Sequence, residues 1–218
     1  MSNHDLYDLD YFERGIMTGK SLYANYQWMP EMTLRMAHYI IRCLQIKDGD
    51  RVLDFGCAKG FLVKALRILG VSAWGCDISH YAIANCDSDA KPFCILADGF
   101  TGIIPCSLGD FDWIISKDVL EHMDGRDLDD FILYSASRAR NSFHVIPLGN
   151  EETGKFIIPE YDRDTTHFNI HGARWWGNKF SSLGWRLRWY TNQITGIKEN
   201  WTSIYPEGNG FFALESKG

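Results

Sequence analysis

Val52-Leu53-Asp54-Phe55-Gly56-Cys57-Ala58-Lys59-Gly60 is the stretch on which the reading of the whole chain turns. A short apolar run carries an acid, enters a turn with glycine at two positions, and passes straight into the helical pattern of residues 61–69. Glycine at such a turn lets backbone approach a ligand with no Cβ between them. The free N–H groups and positive dipole end of the helix beyond suit a carboxylate or phosphate. The stretch lacks the GxxxxGK(S/T) of a phosphate-binding loop, and of the GxGxxG dinucleotide fingerprint it holds only a GxxxG pair. What remains is a DxGxxxG turn with Asp54 two residues ahead of the first glycine.

Outward from this turn, strand and helix signals alternate. Met32, Leu34, Met36, Tyr39, Ile40 and Leu44 predict a helix ending near Leu44, and Gly49-Asp50 a turn before a strand over 51–55. Strands follow over 72–76, 93–97, 111–116 and 142–147, with helices over 61–69, 79–86 (capped by Ser79) and 127–138. Residues 148–172 read as a loop, 173–183 as a helix stopped by Gly184, and 185–191 and 210–215 as closing strands. This alternation predicts one α/β domain: a seven-stranded, mostly parallel sheet, helices on both faces, and an antiparallel final strand. Ligands of such sheets sit beyond the carboxyl ends of the strands, here just after Phe55, Cys76, Ala97, Ser116 and Pro147.

The 218 residues contain no low-complexity stretch or repeat, which fits a single domain. The net charge of −6 and the lack of a Lys/Arg run disfavour a nucleic-acid substrate. The polar, acidic N-terminus is no secretory leader, and no apolar run approaches the roughly 20 residues of a membrane span. Six cysteines without a CxxC pair point to reduced, mostly buried thiols in a cytoplasmic protein. Nothing in the sequence sets the oligomeric state.

Asp54, Gly56, Cys57 and Gly60 resemble motif I of class I (Rossmann-like) S-adenosylmethionine-dependent methyltransferases, whose consensus is nearer DxGxGxG; Ala58 replaces the middle glycine. The resemblance implies that the glycine turn packs on the methionine part of S-adenosylmethionine and that Asp54 engages its amino end. Gly75-Cys76-Asp77-Ile78-Ser79 ends the next strand, where a carboxylate can accept two hydrogen bonds from a ribose diol. On its own Asp77 would read as a capping acid; following Asp54, it reads as the ribose ligand, with Ile78 against the adenine. Asp98-Gly99 ends the third strand, where the family often has an acid on the adenine amino group, although Asp-Gly is also a common turn pair. Lys117, at the end of the fourth strand, and Tyr26 complete the cofactor set.

Phe111-Asp112-Trp113-Ile114-Ile115-Ser116-Lys117-Asp118-Val119-Leu120-Glu121-His122 is similar to the FDxIxxxxxLEH segment of many small-molecule methyltransferases. A helix after Lys117 would put Asp118, Glu121 and His122 on one face. That face could orient a substrate, relay a proton or hold a divalent metal, or Glu121 and His122 could simply satisfy one another. Asp164-Thr165-Thr166-His167 resembles a DxTH segment in methyltransferases of polar natural products and surface-glycan precursors, where it reaches over the active site. His167 is the candidate general base, with His122 and His144 also near the ligand side. A loop-pinning role for His167 competes, as does a divalent metal on Asp118, Glu121, His122 and His167, of a kind (Mg²⁺, Mn²⁺, Fe²⁺) that suits oxygen and imidazole ligands.

The domain thus divides into an N-terminal segment over 1–30, a cofactor-binding core over 31–147, and a substrate loop with closing strands over 148–218. The N-terminal segment is rich in aromatics (Tyr7, Tyr11, Phe12, Tyr23, Tyr26, Trp28) that would serve as a lid over the sulfonium or as a cover for the sheet. The expected reaction is methylation of a small-molecule acceptor: O-methylation of a sugar or related hydroxyl metabolite first, N-methylation of a small amine or amide second. A nicotinamide oxidoreductase and a non-catalytic cofactor-binding protein are the rivals from other classes. If Asp77 holds the ribose, Asp77→Ala weakens S-adenosylmethionine binding by roughly 1.5–3 kcal/mol in titration calorimetry; unchanged affinity would remove it from that role.

Overall fold

The computed structural model describes residues 6–97 and 109–218. Two short helices open it, α1 (Leu9–Glu13) and α2 (Gly15–Thr18), followed by α3 (Pro30–Leu44). Then come β1 (Arg51–Phe55), α4 (Phe61–Ile68), β2 (Ser72–Asp77), α5 (His80–Ala84) and β3 (Cys94–Leu96). From residue 109 onward follow β4 (Phe111–Lys117), α6 (Gly125–Arg138) and β5 (Ala139–Pro147). A small hairpin, β6 (Gly149–Asn150) and β7 (Lys155–Phe156), leads to α7 (Ala173–Ser182), β8 (Trp185–Thr191), α8 (Glu199–Thr202) and β9 (Asn209–Ser216).

Among the described residues, seven strands form one sheet in the order β3-β2-β1-β4-β5-β9-β8. The strands from β3 to β5 are parallel, and β9 runs antiparallel to both β5 and β8. The antiparallel strand is therefore the last in the chain, as the sequence predicts, and lies between β5 and the edge strand β8. Successive strand residues point to opposite faces. Val52, Trp113 and Ile115 pack with Met36 and Ile40 of α3 and Leu66 of α4. Leu53, Phe55 and Ile114 pack on the other face with Phe131 of α6 and Trp176 and Phe180 of α7. Apolar runs buried on both sides are what a sheet covered by helices requires.

Two sequence expectations change. The run after Lys117 is not a helix: Asp118 takes a left-handed φ of 56°, and a single 3-10 turn, Leu120–His122, follows. The loop over 148–172 has structure of its own, the β6–β7 hairpin and a 3-10 turn at Pro159–Arg163. Asp98, Gly99 and Cys106 lie outside the described residues.

The glycines of the turn after β1 also serve packing. Gly56 has φ 79°, and a Cβ there would come within 2.4 Å of Val119 Cγ2. Gly60, at φ 76°, would meet Ala90, Cys86 and Cys94. The room both residues leave is filled by protein atoms, which press the turn after β4 and the strand-end thiols against it. Gly56→Ala is expected to destabilise the fold by about 1–3 kcal/mol, from backbone strain and the clash with Val119; urea unfolding measures it.

Candidate active site

A cavity of about 640 Å³ opens beyond the carboxyl ends of β1, β2 and β4 and runs under the N-terminal segment. On one side it is lined by Asp54, Gly56, Cys57, Ala58, Asp77 and Ile78. Asp77 ties two turns together: Oδ2 accepts the Ala58 N–H and Oδ1 the Ser79 N–H, each at 2.7 Å. Each carboxylate oxygen keeps a further lone pair for a ligand hydroxyl. Burial raises the Asp77 pKa against these backbone hydrogen bonds. Asp54, beside it, is pushed up to about 7 by burial and then by the negative charge of Asp77. Two crowded carboxylates facing a cavity suit a ligand that brings a cation and a diol. Ala58, in place of the family's middle glycine, takes the left-handed φ of 48° that glycine adopts freely.

The N-terminal segment closes this side. Ser79 Oγ donates to the Tyr7 carbonyl at 2.5 Å, and Lys59 Nζ pairs with Glu13 and donates to the Tyr26 carbonyl at 2.9 Å. Tyr11, Phe12, Tyr23 and Tyr26 thereby present their rings to the cavity.

The far corner is built from two segments distant in sequence. Backbone N–H groups of Phe168 and Asn169 donate to the Glu121 carbonyl at 2.7 and 3.0 Å. The Asn169 side-chain amide donates to the carbonyls of Leu120 and Met123. This clasp lays His167 beside His122, with ring centroids 4.5 Å apart. The hydrogen bonds also settle the ring tautomers. Thr166 Oγ1 lies 2.6 Å from Asp164 Oδ1, to which it donates its one proton, so it accepts from His122 Nδ1 at 2.8 Å. His167 Nδ1 lies 2.8 Å from the Tyr161 carbonyl and must donate as well. Both imidazoles are left with an unprotonated Nε2. Burial holds both neutral, His122 pushed down to about 4 and His167 also lowered. Glu121 is fully buried beside them, its carboxylate oxygens without a hydrogen-bond partner among the described residues, and burial followed by the Asp118 charge raises its pKa well above the ordinary value. Asp118 is the opposite case: Lys117 and Lys198 both pair with it and hold its carboxyl below the usual range despite burial.

Asp54, Gly56, Cys57, Asp77, Ile78, Tyr26, Lys117, Asp118, Glu121, His122 and His167 thus line one cavity. Gly60 does not line it; it packs beneath the turn. His144 is a correction of another kind. It lies within β5, fully buried, 2.8 Å from Ser116 Oγ and stacked on Phe180, with its pKa pushed down to about 3 by burial, and it does not reach the cavity. Lys198 was missed. It precedes α8 in a left-handed conformation and ties Asp118 to Tyr161 Oη (2.8 Å) and Asn209 Oδ1 (2.9 Å). A lone lysine between two closing strands carries no sequence signal for that task.

A methyltransferase-domain family model matches residues 29–146, more than half of the chain, and the protein belongs to that family. It is a class I, S-adenosylmethionine-dependent methyltransferase rather than a nicotinamide oxidoreductase. Similar folds include a chain from a complex between the Haloferax volcanii Trm112 methyltransferase activator and a putative methyltransferase, at 13% identity and TM-score 0.66, covering 87% of this chain and 92% of that one. A TehB-like methyltransferase from Corynebacterium glutamicum has 14% identity and TM-score 0.61 over 84% of this chain and 88% of that one. The magnesium protoporphyrin IX methyltransferase of Synechocystis PCC 6803, solved with bound S-adenosylhomocysteine, has 16% identity and TM-score 0.61 over 86% and 84%. A search of curated proteins finds no match. Among the described residues, no helix is long and apolar enough to cross a membrane.

The Asp54 carboxyl supplies a pH test. If Asp54 meets the amino end of the cofactor, it does so in its ionised form, which is depleted below a pKa of about 7. Cofactor affinity is expected to fall as pH drops from 7 to 5.5, by up to about tenfold per unit, and the slope to flatten in Asp54→Asn. Calorimetric titration across that range checks both.

Proposed function

We propose that the protein transfers a methyl group from S-adenosylmethionine to a hydroxyl of a polar small molecule, a sugar or related metabolite. The reading rests on one observation: a single cavity joins an acidic, diol-ready cradle at Asp54 and Asp77 to a corner where two neutral imidazoles and a carboxylate converge. When bound, S-adenosylmethionine supplies an electrophilic methyl on a sulfonium. Asp77 would take the ribose hydroxyls, Asp54 the amino end, and Ile78 the adenine face, with the rings of Tyr11, Tyr23 and Tyr26 attracting positive charge.

The remaining task falls to the corner. As the acceptor O–C bond forms and the S–C bond breaks, the hydroxyl proton must leave. The unprotonated Nε2 atoms of His122 and His167 are the groups there that can bind or steer that oxygen and its proton. Fixing the hydroxyl in line would contribute more than proton removal, on the order of 7–11 kcal/mol in favourable cases. A cavity of about 640 Å³ accommodates the cofactor with a small acceptor, within the usual range for such sites. The bare Glu121 carboxylate supports the second reading, an amine acceptor held as its ammonium.

The test is formation of S-adenosylhomocysteine with panels of polyhydroxylated and amine acceptors. His167→Ala is expected to bind the cofactor normally and to turn over about 10²-fold more slowly; full activity would exclude His167 from the chemistry. A preference for amines across the panel would replace the hydroxyl reading.

A further inference from the structure

We infer that Glu121, His122 and His167 form a binding site for one divalent first-row transition-metal ion, which the acceptor would meet with its oxygens. The inference deepens the proposed reaction and rests on it only for the identity of the acceptor: with the ion bound, the Nε2 lone pairs hold the metal, which acts on the acceptor oxygen in place of direct proton removal by the imidazoles. One carboxylate oxygen of Glu121 and one ring nitrogen from each histidine lie within 4.8 Å of one another. An ion about 2.1 Å from each would draw them somewhat closer, a rotamer-scale movement.

Three independent features point to a cation at this place. The Nδ1 protons of both histidines are committed, His122 to Thr166 and His167 to the Tyr161 carbonyl, so each Nε2 keeps its lone pair and, among the described residues, accepts no hydrogen bond; Asp164 Oδ2 lies 3.9 Å from His167 Nε2. Such an outer hydrogen bond is the usual support of a metal-ligating imidazole. Glu121 is 0% exposed, with two oxygens that have no hydrogen-bond partner among the described residues, an arrangement too costly for a bare carboxylate unless something positive or a proton meets it. The clasp between Asn169 and the turn at Leu120–His122 fixes the distance between the ligands.

Asp118 is not part of the set, since Lys117 and Lys198 already neutralise it. Two imidazoles and one carboxylate with open positions favour Mn²⁺, Fe²⁺ or Co²⁺ over Mg²⁺ or Ca²⁺, which prefer an all-oxygen shell. The open positions suit an acceptor with two adjacent oxygens, a vicinal diol or a hydroxy acid. A hydroxyl held there loses its proton more readily.

The experiment uses chelator-stripped full-length protein titrated with Co²⁺ and Mn²⁺. Visible absorption reports Co²⁺ ligation, electron paramagnetic resonance reports Mn²⁺, and a parallel calorimetric titration with S-adenosylmethionine is run without metal. One bound ion is expected, with affinity falling about 100-fold or more in Glu121→Gln, beyond the 10–100-fold typical of losing a supporting partner. His167→Ala serves as the second variant should Glu121→Gln fail to fold, with the same loss expected. No Co²⁺ band, or affinity unchanged in whichever variant folds, overturns the metal site. If the cofactor binds in that case, the methyltransferase reading stands and Glu121 is a protonated or ammonium-binding group. If the metal binds and the cofactor does not, the methyltransferase reading falls while the metal site remains.

Discussion

The side-chain amide of Asn169 holds the candidate active site together. It donates to the carbonyls of Leu120 and Met123 while the neighbouring backbone donates to Glu121. Buried carbonyls of a 3-10 turn have no continuing helix to satisfy them, so a partner must come from elsewhere. Meeting that need brings the loop after β5 over the end of β4. The nearness of His122, His167 and Glu121 follows from this satisfaction of backbone groups, together with the hydrogen bond between His122 Nδ1 and Thr166 Oγ1.

The opposite side of the cavity obeys a packing constraint. Val119 occupies the room left by Gly56, and Ala90, Cys86 and Cys94 occupy that left by Gly60. Close packing of this kind holds the turn after β1 in its left-handed backbone with little freedom, strongly enough that Ala58 adopts a positive φ without being glycine. Asp77 then bridges that turn to the start of α5, so a carboxylate placed for a ligand is also a structural tie. The cradle is preorganised by atoms that never touch the ligand.

Charge is sorted sharply within a few ångströms. Asp118 stays ionised between two ammonium groups, whereas Glu121, close by in sequence, has none in hydrogen-bonding reach and is pushed toward protonation. The difference comes from Lys117, next to Asp118 in sequence, and from Lys198, delivered by the β8–β9 connection. Desolvation governs the histidines, and neutrality is the condition under which their nitrogens can accept a proton or bind a ligand.

The sequence alone determined the seven strands, their carboxyl ends and the acids Asp54 and Asp77, because each depends on short-range patterns: apolar alternation, glycine turns and the offset between successive strand ends. It also marked Glu121, His122 and His167 as residues of interest. Tertiary structure decided what they form. A helix was the natural reading after Lys117, but Asp118 in a left-handed conformation and the clasp from Asn169 replace it with one tight turn. His144 and His167 look alike in sequence, yet one is sealed between Ser116 and Phe180 while the other lines the cavity. Lys198 gave no local signal at all. Ring tautomers, unpartnered oxygens and ion pairs depend on neighbours tens of residues away, and only the folded chain brings those neighbours within a few ångströms.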